Sequence, residues 1–244
     1  MNSRMVVVGV ALVVLATVTS GQEFQKDVIP TSAGDLQITF VGHGTLVLGF
    51  GGKVIHVDPF GRLADYSTMP KADLVLITHA HGDHLDPAAL AAVRTPATQV
   101  VVAPICEGKV EGAIVLHNGE PKQVAGVDIL TVPAYNIVHK RKDGTPYHPK
   151  GEGNGYVLTF GETRVYVAGD TENIPEMKAL QNITVAFLPM NLPYTMTPAM
   201  VADAARSFRA RILYPYHYGD TDPNILVALL EGEQGIEVRV RNMR

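Results

Sequence analysis

The chain has 244 residues, a formal charge of −4 and 46 % hydrophobic residues; this fits one globular domain, or at most two small ones, and excludes a disordered chain. It carries no long Lys/Arg-rich run, which excludes a nucleic-acid partner held through its phosphates. Its single cysteine, Cys106, excludes an intrachain disulfide and any multi-thiolate zinc site, and the setting V-V-A-P-I-C reads as a buried strand end.

At the start of the chain, Arg4 precedes the uncharged run Met5–Val18, then Thr19-Ser20-Gly21 and polar Gln22-Glu23. This is the pattern of a secretory signal peptide over residues 1–21. The run is shorter than the roughly 20 residues that span a bilayer, and an uncleaved anchor is the alternative. Residues 22–244 are then the mature domain. It is expected to be periplasmic or secreted, without stable membrane contact unless the leader is retained. Loss of Arg4 takes its charge to −5.

Short apolar or alternating runs follow at Leu36–Val41, Thr45–Phe50, Lys53–Val57, Leu74–Ile77 and Gln99–Ala103, and read as strands. Gly51-Gly52 reads as a hairpin turn. Asp86-Pro87 is a good N-cap and first residue for a helix over Ala88–Val93. Further strands are expected at Gly126–Val132, Gly155–Phe160, Thr163–Val167, Val185–Leu188 and Ile212–Tyr216. Helices are expected at Pro175–Leu180, at Ala199–Phe208 with Met200, Ala204, Ala205 and Phe208 on one face, and at Ile225–Glu231. The polar Gly/Pro-rich stretch 140–155 is too long for a silent connection in a compact domain.

The most informative stretch is T-H-A-H-G-D-H, Thr78 to His84, directly after the run Leu74–Ile77. It crowds His79, His81, Asp83 and His84 into one loop between a strand end and a helix start, the edge of an α/β sheet where ligands bind. Imidazoles need partners for their ring nitrogens, and a shared cation supplies one. Imidazole with carboxylate suits zinc best among the common metals.

The motif His79-Ala80-His81-Gly82-Asp83-His84 resembles the H-x-H-x-D-H signature of the metallo-β-lactamase fold superfamily. Other segments resemble the family in the same order: V-D-P-F with Asp58, Y-V-A-G-D-T with Asp170, and P-Y-H-Y with His217. G-H-G-T at Gly42–Thr45 and Y-T-M-T at Tyr194–Thr197 resemble the L-ascorbate-6-phosphate lactonase-like branch. The resemblance implies a four-layer αβ/βα sandwich of two mixed β-sheets with outer helices. It implies two zinc ions, with manganese or iron as alternatives. One would be held by His79, His81 and a third histidine, the other by Asp83, His84 and His217, with Asp170 bridging. The third histidine departs from the simplest family pattern, because Asn136 stands after the strand. His148, in H-P-K-G, and His139, beside Lys140-Arg141-Lys142, are the two candidates, and the charge context favours His148.

The reading that follows is a hydrolase acting on a small-molecule ester, lactone, amide or phosphodiester. Activated hydroxide would be the nucleophile, and Asp83 or Asp170 would handle the proton. Two alternatives stand beside it. A di-iron redox protein of this fold resembles H-x-E-x-D, whereas residue 81 is His; a non-catalytic secreted metal-binding module is the other. Asp58 is expected to orient a metal-ligating histidine. His43 is a possible site-wall residue, His56 and His117 are expected to be structural, and Met190 and Met196 to be packing groups. Asn136, Lys150 and Tyr194 are candidates for orienting substrate.

Overall fold

The computed structural model describes residues 22–244, so the leader read over residues 1–21 lies outside the described residues. The first sheet contains β1 (Gln25–Thr31), β2 (Gly34–Gly42), β3 (Thr45–Phe50), β4 (Lys53–Val57), β5 (Leu74–Ile77), β6 (Gln99–Val102) and β7 (Ile114–Val115), side by side in chain order. The second contains β8 (Pro121–Val124), β9 (Val127–Ala134), β10 (Gly153–Phe160), β11 (Thr163–Val167), β12 (Val185–Pro189), β13 (Ile212–Tyr216) and β14 (Glu237–Val238), again in chain order. Each sheet begins as an antiparallel meander, β1–β4 and β8–β11. Each then continues with parallel strands, β4–β7 and β11–β14. Both sheets are therefore mixed, as expected.

Local sequence accounts for the turns and helix starts. Gly51 and Gly52 take φ of 57° and 78°, and close the hairpin in which Phe50 pairs with Lys53. Helices α1 (Pro87–Val93), α2 (Pro175–Lys178), α3 (Pro198–Phe208) and α4 (Pro223–Leu229) all begin on proline, whose missing N–H costs nothing in a first turn. Asp86, Thr197 and Asp222 cap three of them by accepting backbone N–H bonds. The buried face of α3 is Val201, Ala204, Ala205 and Phe208; Met200, expected on it, is only partly buried and sits at the margin.

Helices cover the outer faces and the sheets pack on each other. In β5 the alternation resolves two buried faces: Leu74 and Leu76 join the core between the sheets, while Val75 and Ile77 pack under Leu90 and Val93 of α1. Phe40 meets Tyr214 across the sandwich at 5.0 Å, and Phe50 meets Phe160 at 4.9 Å. Phe40 and Phe160, which are buried, each contribute about 1.5–3 kcal/mol by apolar burial, and Phe50, only partly buried, contributes less. On the far side, α2, α3 and α4 place Met177, Val201, Phe208 and Leu226 on the second sheet. The layers are α1, first sheet, second sheet, and α2–α4.

Four strands were not expected from the sequence: β1, β7, β8 and β14. These are the two edges of the first sheet and the two edges of the second. Strands β1 and β8 show little buried apolar surface, and β7 and β14 are two residues each.

Candidate metal centre

Strands β4 and β5 deliver the first half of the site at their carboxyl ends. Asp58 follows β4 in a left-handed conformation, φ 45°, fixed by its N–H bond to the carbonyl of Leu76 at 3.0 Å. Its carboxylate accepts the N–H of Thr78 at 2.8 Å, the hydroxyl of Thr78 at 2.6 Å and His84 Nδ1 at 2.7 Å. With Nδ1–H donated to Asp58, His84 turns Nε2 towards the cleft. The same hydroxyl, already donating to Asp58, lies 3.0 Å from His79 Nδ1 and accepts its N–H, so Nε2 of His79 faces the cleft too. His79 Nε2 and His81 Nδ1 lie 2.9 Å apart, aimed at a common point.

The second sheet supplies three residues from three separate places: His148 before β10, Asp170 after β11 and His217 after β13. Asn136 Oδ1 accepts both the backbone N–H of His148 and its Nδ1, each at 2.8 Å. Asn136 is held in turn by bonds from Nδ2 to the carbonyl of Tyr194 at 2.9 Å and to Glu172 at 3.2 Å. His217 is left-handed, φ 44°, and donates its N–H to the carbonyl of His43, itself left-handed at φ 50°. The rings of His43 and His217 lie 3.7 Å apart, and His43 Nε2 is 3.0 Å from Asp83 Oδ2.

These groups converge on Asp170, whose two oxygens face different neighbours. Oδ1 lies 3.6 Å from Nε2 of both His84 and His217. Oδ2 lies 3.3 Å from His148 Nε2 and 3.9 Å from His79 Nε2. Two sets of donor atoms result: His43, Asp83, His84 and His217 in one, and His79, His81, His148 and Asp170 in the other. Burial disfavours charge on His79, His81, Asp83, His84 and Asp170. At Asp170 and Asp83 the surrounding histidines overcome burial and hold both carboxyls far below the usual range. At His84 burial is overcome by Asp170, Asp58 and Asp83, which raise the imidazole to about 9. At His79 burial and the neighbouring His84 lower it well below its ordinary value.

A metal fits this arrangement. Nε2 of His84, His148 and His217 and Oδ1 of Asp170 are buried and have no hydrogen-bond partner in the protein. Left unpaired, each would carry the cost of desolvation. All four are lone-pair donors directed at one cleft, and imidazole nitrogen with carboxylate oxygen is a donor set for zinc or a related divalent ion.

Of the two candidates for the third histidine, the structure brings His148 to the cleft. His139 is turned away, with Nδ1 2.7 Å from Glu172 Oε1. Asp58 orients His84, as expected. Two of the substrate-orienting candidates are placed differently: Asn136 is buried and holds His148, and Lys150 pairs with Glu176 at 2.7 Å over the ring of Tyr135. Tyr194 does line the cleft. His56 is buried in β4, bonded to the carbonyl of Pro70 at 3.0 Å, and burial lowers it to about 4. His117 lies after β7 on the exposed surface, outside any strand. Cys106 sits in the 3-10 turn Pro104–Cys106, where burial pushes its thiol up to about 12; it is inert packing.

Two further residues, Glu172 and Gly44, support the site without standing out in the sequence. Glu172 is fully buried and accepts the N–H groups of Ile137, Val138 and His139 at 2.7 Å each, fixing the loop that carries Asn136. Its signal was the second acid in G-D-T-E. Gly44 lies against the ring of His84, where a Cβ would stand 2.8 Å from Cε1. The open side of the site is a cleft of about 330 Å³ walled by Arg141, Tyr147, Asn191 and Tyr194.

Comparison with known proteins agrees with this geometry. The beta-lactamase superfamily domain matches residues 37–217. A UPF0173 metal-dependent hydrolase of Methanopyrus kandleri is 33 % identical over 226 residues, covering 84 % of this chain and 95 % of that protein. Another, from Thermococcus onnurineus, is 34 % identical over 200 residues, covering 77 % and 87 %. Among solved structures, a protein of Parabacteroides distasonis described as a metal-dependent hydrolase superposes with a TM-score of 0.86 at 48 % identity, covering 91 % of this chain and all of that one. Igni18, a metallo hydrolase of Ignicoccus hospitalis, reaches a TM-score of 0.70 at 26 % identity, covering 86 % and 96 %. With the metallo-β-lactamase fold, a His/Asp cluster able to hold a metal and these relatives, the chain belongs to the beta-lactamase superfamily and, within it, to the UPF0173 metal-dependent hydrolases.

Proposed function

We propose that this metal-dependent hydrolase holds two zinc ions and cleaves an ester, lactone, amide or phosphodiester bond in a small molecule. The observation that carries the reading is the division of Asp170, one oxygen towards His84 and His217 and the other towards His79 and His148. A carboxylate so placed can serve two cations and offset their repulsion. His79, His81 and His148 would hold one ion, Asp83, His84 and His217 the other, and Asp170 both. Such a pair supplies a water acidic enough to ionise near neutral pH and positive charge for the oxygens of the scissile group.

The chain's own groups do the rest. Asp58 and Asn136 fix the histidines so that Nε2 is the free nitrogen. Asp83 is partly exposed at the cleft with its Oδ2 3.0 Å from His43 Nε2, which supports it beside Asp170 as a group that would handle the proton of the attacking water. The cleft above accepts the substrate from solvent. G-H-G-T and Y-T-M-T support a lactone among the substrates to be tried first, and the leader-like start supports export.

Metal analysis with a substrate panel tests the reading. Two zinc equivalents per chain and turnover of at least one ester, lactone or phosphodiester, lost in His81→Ala, are expected. Stoichiometric iron with a visible absorption band would replace the zinc assignment with the di-iron one.

A further inference from the structure

The wall of the cleft facing the centre contains one feature that metal binding does not use. The polar loop folds back as a small hairpin in which Arg141 N donates to the carbonyl of Thr145 at 2.7 Å, Gly144 N donates to the carbonyl of Arg141 at 3.0 Å, and Lys140 bridges to Pro146. The acid of that hairpin, Asp143, accepts the N–H of Thr145 at 2.9 Å and the Thr145 hydroxyl, and the charge of Arg141 reaches it without forming an ion pair. The guanidinium of Arg141 lies over the ring of Tyr147, 5.0 Å from its centroid. Tyr147 is braced edge to face by Tyr194, with centroids 5.0 Å apart at 78°. The guanidinium makes one hydrogen bond, from Nη2 to the carbonyl of Tyr147 at 3.4 Å, and among the described residues it forms no ion pair. It lines the same cleft as His81, Asp83 and His217.

We infer that Arg141 anchors an anionic group of the substrate, a carboxylate or a phosphoryl group, borne beside the bond that is cleaved. This rests on the dinuclear reading above. Two divalent ions would outweigh the ligand carboxylates and make the floor of the cleft cationic, and the guanidinium of Arg141 adds positive charge from the wall. A planar fork pre-set over an aromatic ring suits bidentate recognition of a carboxylate or phosphoryl group. Lys142, the residue after Arg141, does not line the cleft and serves as a like-charged control.

The test compares binding to the zinc-loaded full chain by titration calorimetry of phenylacetate, phenylphosphonate and neutral phenylacetamide. Arg141→Gln is expected to weaken at least one anion about fivefold to tenfold, the size of one charge-assisted contact at an exposed site, and to leave phenylacetamide within twofold. Arg141→Lys should recover part of the loss, and Lys142→Gln should change nothing beyond twofold. The anion with the larger loss identifies the group recognised. Equal anion binding by wild type and Arg141→Gln overturns the assignment, as does an equal loss in Lys142→Gln, which would indicate only a diffuse field. Binding is read without turnover. Failure of the hydrolase reading would be seen separately, as zinc-loaded wild type that cleaves no ester, lactone or phosphodiester.

Discussion

The two sheets share one plan, an antiparallel meander followed by parallel strands, yet they build their halves of the site differently. The first places His79, His81, Asp83 and His84 in a single loop after β5, braced by one carboxylate, Asp58. The second brings His148, Asp170 and His217 from three strand ends, braced by Asn136, Glu172 and the backbone of His43. A local cluster needs one turn to be right. A dispersed set needs the whole sheet to be right, and its supports are spread across the sequence. The second half should therefore be the more sensitive to changes away from the ligands themselves.

The strongest way to break this comparison is at Asp170, the one residue that faces both sets. Asp170→Asn is expected to remove most of the metal from both positions and to lower kcat by on the order of a thousandfold or more, read by metal analysis and turnover. Retention of one full zinc equivalent would show that the first-sheet loop suffices alone. Next comes the choice of histidine. His148→Ala should lose metal from the His79–His81 position and lower activity at least about a hundredfold, while His139→Ala keeps both metals. At the brace of the other set, Gly44→Ala forces a Cβ towards His84 Cε1. Affinity at the His84–His217 position should fall roughly 10–100-fold with the other position kept, as for other losses of ligand support.

The smallest effect lies where the sheets are tied together at their edges. Asp27 of β1 accepts Nη2 of Arg241 at both oxygens, 2.8 Å and 2.7 Å, and the hydroxyl of Tyr214 in β13. Burial opposes its charge, but Tyr214 and Arg241 hold its carboxyl below the ordinary value. A lowered folded pKa means that its stabilisation is complete above the unfolded value near 3.9 and is lost as pH falls through the folded one. Asp27→Asn should thus cost about 1–3 kcal/mol at neutral pH and flatten the acid limb of the stability curve below about pH 4, measured by denaturant titration.

What the sequence disclosed follows the same division. The heptad was legible because its chemistry is compressed into seven residues, and the interior strands because burial on both faces writes long apolar runs. The edge strands β1, β7, β8 and β14 were not, since an edge buries little and P-K-Q-V carries no pattern to read. Asp170 and His217 were legible through family resemblance to motifs at strand ends. Glu172 and Gly44 were hidden because their roles are relational. A buried carboxylate is recognised only when three N–H groups are seen to converge on it, and a glycine only when a histidine ring is seen to occupy the space of its missing side chain.

The chain-order arrangement of strands has a consequence for assembly. Among the described residues every strand pairs only with strands adjacent to it in the chain, so the backbone ladder of each sheet needs no strand of the other. The metal centre needs both sheets, because its groups come from both. Ion binding would then act as a clasp that closes last, favouring the docked pair of sheets by mass action over an ensemble in which each is already formed. Chelation would be felt first at the seam between them, as faster amide exchange around Thr78 and Asn154, whose backbones meet there at 2.9 Å, and only later within either sheet.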